Sequence, residues 1–96
     1  MQINITLMGD EHPRSFMLSG RIGQTMHALM KAKDKGITPL EIPAIRLAAY
    51  VHSLREMGFT IDTKLEQHHR PYAGHHARYR LRSIVLRTET DKKAEG

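Results

Sequence analysis

Two histidine pairs, His68-His69 and His75-His76, flank the short stretch Arg70-Pro71-Tyr72-Ala73-Gly74, and they are the densest chemistry in the chain. Imidazoles around a short loop can bind zinc or nickel, which are commonly held by three or four such ligands. Adjacent residues of a strand point to opposite faces, so at most one ring of each pair converges easily on a common ion. The ordinary uses are donation to phosphate or plain hydration, with charge gained below about pH 6.5. No metal site and no cofactor is expected. Asp10, Glu11 and His12 are neighbours in an early loop, but nothing else in the chain supplies a matched partner, so a polar turn is the reading there. There is no H-E-x-x-H, no G-x-x-x-x-G-K-[ST], no G-x-S-x-G and no cysteine nucleophile. The residues point to binding and not to catalysis.

Charge says what kind of binding. Lysine and arginine total 15 against 10 aspartates and glutamates, a formal net charge of +5. The excess is local: Arg70, Arg78, Arg80, Arg82 and Arg87 crowd the histidine-rich segment. Local basic clustering is the electrostatic footprint of a nucleic-acid partner, and its bland alternative is a solvated hairpin kept soluble by arginine. The absence of cysteine fits a reducing compartment. The apolar runs fall far short of the roughly 20 residues that cross a bilayer, and the first residues lack the pattern of a secretory signal. A cytoplasmic protein with no membrane partner is expected.

The elements that would position these groups follow from pattern. Residues 2–8 alternate as a strand with Ile3, Ile5 and Leu7 on one face, and Ser15–Leu18 reads as a second strand, giving an N-terminal strand, hairpin or arm over 1–18. A helix is expected from about Arg21 to Lys33, with Ile22, Met26, Leu29, Met30 and Lys33 at helical spacing. Thr38, Pro39 and Glu41 form a capping box for a short second helix, Pro39 to about Ile42, which Pro43 stops. A longer helix, Ala44–Met57, ends at Gly58, the residue best able to take a left-handed cap. Its core face is Leu47, Ala48, Val51 and Leu54; Arg46, Ala49, Tyr50 and Ser53 form another face, small enough to approach a major groove and carrying donors for base edges. Phe59–Leu65 and Arg78–Leu86 are the strands of a hairpin joined by the loop 66–77, and Thr88–Gly96 is a charged tail.

Three helices and a C-terminal β-hairpin wing, with a strand or hairpin before them, make an α+β winged helix-turn-helix domain over residues 1–87 (helices in 19–58, wing hairpin in 59–87), followed by the tail 88–96. The G-I-T-P cap, R-L-A-A-Y-V-H-S-L-R in the long helix and G-H-H-A-R-Y-R-L in the returning strand resemble a family of small winged-helix proteins of bacterial genomes and their phages, over about residues 15 to 86. The resemblance implies DNA binding through the fold, with no reaction attached. It maps the recognition helix to Ala44–Met57 and the wing to 66–77.

The expected function is therefore a DNA-binding transcriptional regulator of phage or prophage type, sequence-specific or semi-specific on double-stranded DNA. Arg46, Tyr50 and Ser53 would face base edges, Lys64, Arg70, Arg78 and Arg80 would contact phosphates, and Tyr72 at the wing tip would stack on a sugar or base. A homodimer would match a palindromic site. A reading from another class is a protein-interaction adaptor or inhibitor of a host protein or nucleoprotein complex, in which the strand Ile3–Leu7 adds to a partner's sheet edge or makes a homodimer.

Overall fold

Apolar residues at every second position of the first strand give the fold its floor. A computed structural model of the chain describes residues 2–9, 12–42, 46–69 and 72–88. β1 (Gln2–Leu7) buries Ile3, Ile5 and Leu7, as its alternation requires, and turns back into β2 (Arg14–Ser19). The two pair antiparallel without a break from Gln2–Ser19 to Leu7–Arg14.

α1 (Gly20–Ala32) lays Met26 and Leu29 onto this sheet, with Thr25 also buried and its hydroxyl donating to the Arg21 carbonyl at 2.8 Å. The helix stops one residue earlier than the spacing predicts. Lys33 takes φ 54°, and a 3-10 turn, Lys33–Lys35, follows. Lys33 is therefore exposed and leaves the apolar stripe.

The expected third helix is absent among the described residues, which contain two α-helices joined by the 3-10 turn and an extended link. Thr38 begins a single turn only: its carbonyl accepts from the N–H of Glu41 (3.1 Å) and of Ile42 (3.2 Å). Half of the predicted capping box forms, the Glu41 carboxylate accepting from the Thr38 N–H at 3.2 Å. One turn does not repay the cost of nucleating a helix, and Pro43 in the sequence disfavours helical geometry at Ile42. A three-helix winged arrangement is thus corrected to a two-helix one. In place of the helix, Ile37 makes an antiparallel bridge to Tyr79, exchanging backbone bonds of 2.9 Å in both directions. Gly36 enables that bridge: it sits at φ 72° and ψ −177°, and a Cβ there would lie 2.5 Å from the Tyr79 carbonyl oxygen.

α2 (Leu47–Met57) buries Leu47, Val51 and Leu54. Ala48, assigned to the core face, is exposed. Residues 43–45, where the sequence reading starts this helix, lie outside the described residues. Gly58 supplies the left-handed cap at φ 112°, with its N–H bonded to Arg55 and that of Phe59 to Leu54.

β3 (Ile61–His68) and β4 (Gly74–Leu81) form the hairpin in unbroken register. Both run further toward the tip than expected, so Glu66, Gln67, His68 and Gly74 to Ala77 are strand and not loop. The hairpin outruns the core: Phe59 and Ile61 are buried, while Thr63 and Leu65 on the same side are exposed.

The returning strand is not continuous to Leu86. Arg82 and Ser83 both donate backbone N–H groups to the Thr60 carbonyl, at 2.8 and 3.3 Å, and the Ser83 hydroxyl accepts from the Thr60 N–H at 2.7 Å. This corner redirects the chain into β5 (Val85–Arg87), which pairs with β1. The first sheet is therefore ordered β2-β1-β5. β1 is its central strand, with both edges occupied, so the expectation that Ile3–Leu7 adds to a partner's sheet is overturned. The 89–96 part of the expected tail lies outside the described residues.

Candidate nucleic-acid interface

Strand alternation divides the hairpin into two unlike faces. Asp62, Lys64, Glu66 and His68 share one face with their cross-strand partners Arg80, Arg78, His76 and Gly74. Ile61, Thr63, Leu65 and Gln67 share the other with Leu81, Tyr79, Ala77 and His75. The 3-10 turn lies against the first face. Arg78 Nη1 donates to the Lys35 carbonyl at 2.9 Å and Arg80 Nε to the Asp34 carbonyl at 2.8 Å. The end of α2 lies against the second: Arg55 Nη2 donates to Thr63 Oγ1 at 2.7 Å, and its Nε to the Ile61 carbonyl at 3.0 Å.

The polar face is wired along its length. Arg78 Nε donates to Glu66 Oε2 at 2.6 Å, and His76 Nε2 meets Glu66 Oε1 at 3.1 Å. His76 Nδ1 is 2.9 Å from His68 Nδ1. In the tautomer in which His76 Nε2 donates to the carboxylate, its Nδ1 is the acceptor and the His68 N–H donates across the strands. One ring of each histidine pair thus converges, as alternation demands. The Arg78 guanidinium holds the Glu66 carboxyl below its ordinary range against an opposing partial desolvation, with a smaller push in the same direction from His76. Glu66 in turn raises Arg78, and Asp62, 2.6 Å from Arg82 Nε, raises Arg82. Among the described residues no group of three or more histidine, aspartate or glutamate side chains could hold a metal ion.

Of the residues chosen from sequence, Lys64, Arg78 and Arg80 come together on this face, Lys64 directly opposite Arg78. Tyr72 stands at the hairpin tip, 80% exposed. Arg70 lies outside the described residues. Arg46, Tyr50 and Ser53 lie at the start of α2 and within it, not on this face. Arg46 is the exposed residue that precedes α2, its carbonyl accepting from the Tyr50 N–H at 3.2 Å. Tyr50 and Ser53 are half-buried, and the Ser53 hydroxyl donates back to the Ala49 carbonyl at 3.2 Å. Arg55 follows Tyr50 by five residues, about 140° around the helix, so the hairpin and Tyr50 adjoin different flanks of α2. The outermost face of α2 is instead Ala48, His52 and Glu56, with His52 and Glu56 paired at 3.2 Å.

Two cations beside the polar face were not chosen from sequence. Lys33 and Lys35 belong to the 3-10 turn whose carbonyls hold Arg78 and Arg80, and both are exposed. The run Lys31-Ala32-Lys33-Asp34-Lys35 was the available signal, and it reads equally well as a basic helix end favoured by the helix dipole.

The profile of a family described as a winged helix domain matches residues 15–91, most of the chain. Comparison with curated proteins and with solved structures gives no match. Winged-helix domains are binding modules without catalytic machinery, and they generally bind DNA. No helix among the described residues is long and apolar enough to cross a membrane.

Proposed function

We propose that this chain, which belongs to the winged helix domain family, binds double-stranded DNA with full or partial sequence specificity and regulates transcription. The observation that carries the reading is the family match over residues 15–91. The hairpin supplies its chemistry. Lys64 lies beside Arg78, whose Nε and Nη1 are engaged by Glu66 and Lys35, and Arg80, whose Nε is engaged by Asp34, and the donors that remain can reach phosphate. Lys33 and Lys35 extend that basic strip along the 3-10 turn. Arg46 stands where α2 exposes its first backbone N–H groups, with no capping side chain and no acidic residue in the first turn, an arrangement that favours an anion. In this reading Arg46, Tyr50 and Ser53 address base edges and Lys64, Arg70, Arg78 and Arg80 the backbone. In this reading Tyr72 at the hairpin tip stacks on a sugar or base. A homodimer on paired half-sites, a cytoplasmic location and a phage or prophage setting complete the proposal, the last resting on the sequence resemblance.

A second reading, a protein-interaction adaptor, is favoured by one surface. The outer face of the first sheet carries Asn4, Thr6, Ser15, Met17 and Leu86 with no charged side chain among them. Fluorescence polarisation with a labelled mixed-sequence duplex at about 50 and 200 mM salt separates the two. Binding that weakens steeply with salt is the expected result. No binding at the lower salt refutes the DNA reading and leaves the adaptor.

A further inference from the structure

The two sheets of the described residues have four edges at which another chain could add, and three are closed or defended. Ile37 bridges the inner edge of β4, and Arg78 and Arg80 pin that strand to the 3-10 turn. β3 carries Asp62, Lys64 and Glu66 along its length, and charge on an edge discourages pairing. β5 is three residues long and ends in Arg87. β2 differs from all of these. It is six residues long, its register with β1 contains no bulge, and Ser15 to Ser19 includes no charge and no proline. Among the described residues β1 is its one strand partner. Such an edge is a template for another strand.

We infer that β2 is the dimer interface: two β2 strands pair antiparallel about a two-fold axis, giving one sheet of order β5-β1-β2-β2-β1-β5. The strand is complementary to itself. With Met17 opposite the partner copy's Met17, each Phe16 faces a Leu18 on the inner side and each Ser15 faces a Ser19 on the outer side. Phe16 is only half-buried in one copy although its ring packs 5.1 Å from that of Phe59, so a second strand would cover the remainder. Met17, 66% exposed on a face without charges, would gain a thioether neighbour. Arg14 falls opposite Gly20 in this register, so no like charges meet. The inference rests on the homodimer part of the proposed function and is independent of whether the ligand is DNA.

The chain contains no cysteine, which makes Met17→Cys a clean reporter. Directly opposed strand residues have Cα atoms about 4.5–5.5 Å apart, within the range a disulfide spans. The full chain is expected to show twice its 11.0 kDa mass by light scattering at sub-millimolar concentration. M17C should form a disulfide dimer at least tenfold faster than Leu65→Cys, whose side chain is 71% exposed on the hairpin. Met17→Lys, which opposes two ammonium groups at a solvent-facing site, should restore the single-chain mass with an unchanged circular-dichroism spectrum. A single-chain mass for the unaltered protein overturns both the dimer and its interface. A dimer that survives M17K, or in which M17C cross-links no faster than L65C, overturns this interface alone.

Discussion

Replacing Gly36 with alanine tests whether the bridge at Ile37 does the work that a third helix would otherwise do. Gly36 adopts φ 72° and ψ −177°, a region populated essentially by glycine alone, where a side chain costs about 1–3 kcal/mol. The added Cβ would also stand 2.5 Å from the Tyr79 carbonyl oxygen and 2.9 Å from Arg80 Cγ. Relieving the backbone contact displaces β4 and weakens the 2.9 Å bonds between Ile37 and Tyr79, at about 1 kcal/mol each. The sum is about 3–5 kcal/mol, a large share of the roughly 5–15 kcal/mol that holds a small domain together. Gly20→Ala is the control, because Gly20 also has positive φ (61°) yet a Cβ there meets nothing within 4 Å. It should cost about 1–2 kcal/mol, the backbone share alone. Urea unfolding followed by far-ultraviolet circular dichroism reads both. Equal losses for the two variants, within about 0.5 kcal/mol, would refute the claim that close approach of the link to β4 organises the hairpin.

Further predictions concern the polar face and α2. Glu66→Gln should lower the thermal midpoint at neutral pH, and the gap to the unaltered chain should close on acidification. The sign follows from the depressed carboxyl: its contribution is complete above the ordinary value of 4.5 and is lost as pH falls through the lower folded value; a gap unchanged by acid would show that the Arg78 pair contributes nothing. Lys64→Ala should flatten the slope of log affinity against log salt by about 0.9 for duplex of any sequence, as loss of one phosphate contact requires. Arg78→Ala should instead act first on the thermal midpoint, since its Glu66 and Lys35 bonds hold the hairpin; a flattened salt slope without loss of stability would reverse that assignment. Arg46→Ala should compress the difference between preferred and random duplexes in competition titrations, and equal weakening on all sequences would remove Arg46 from base reading.

What could be read from the sequence was whatever is decided within a turn or a strand. The Gly58 cap needs only its own left-handed geometry and the preceding helix, and it forms as expected. The alternation of Ile3, Ile5 and Leu7 likewise places them in the core without reference to any partner. The capping box at Thr38 shows the limit, because a correct local signal started a turn that the next residues could not extend into a helix. β5 was illegible for a different reason. Val85–Arg87 looks like the continuation of β4, and only the Thr60 corner and the distant β1 edge reveal that the chain has changed sheets. The anchoring of the arginines was hidden in the same way: Arg78 and Arg80 bond to backbone carbonyls of Lys35 and Asp34, groups that every residue carries.

That anchoring changes how the basic excess should be valued. A cluster of arginines attracts a polyanion only to the extent that its charge is not already matched nearby. On the polar face of the hairpin Glu66 meets Arg78 at 2.6 Å, so one of the three positive charges of Lys64, Arg78 and Arg80 is offset before any partner arrives. Arg82 is likewise held by Asp62 at 2.6 Å, with Asp34 a further 3.6 Å contact. The acidic residues that look like dilution in the sequence therefore fix the arginines in place, and fixed guanidinium groups lose less freedom when a phosphate comes within reach. Affinity would then come from the flexible, solvated lysines at positions 33, 35 and 64, and geometry from the arginines. A hairpin built this way is stiff at its base and adaptable at its rim, which suits a surface that tracks a backbone without reading its sequence. Any sequence reading must be supplied from α2, whose available donors begin at Arg46.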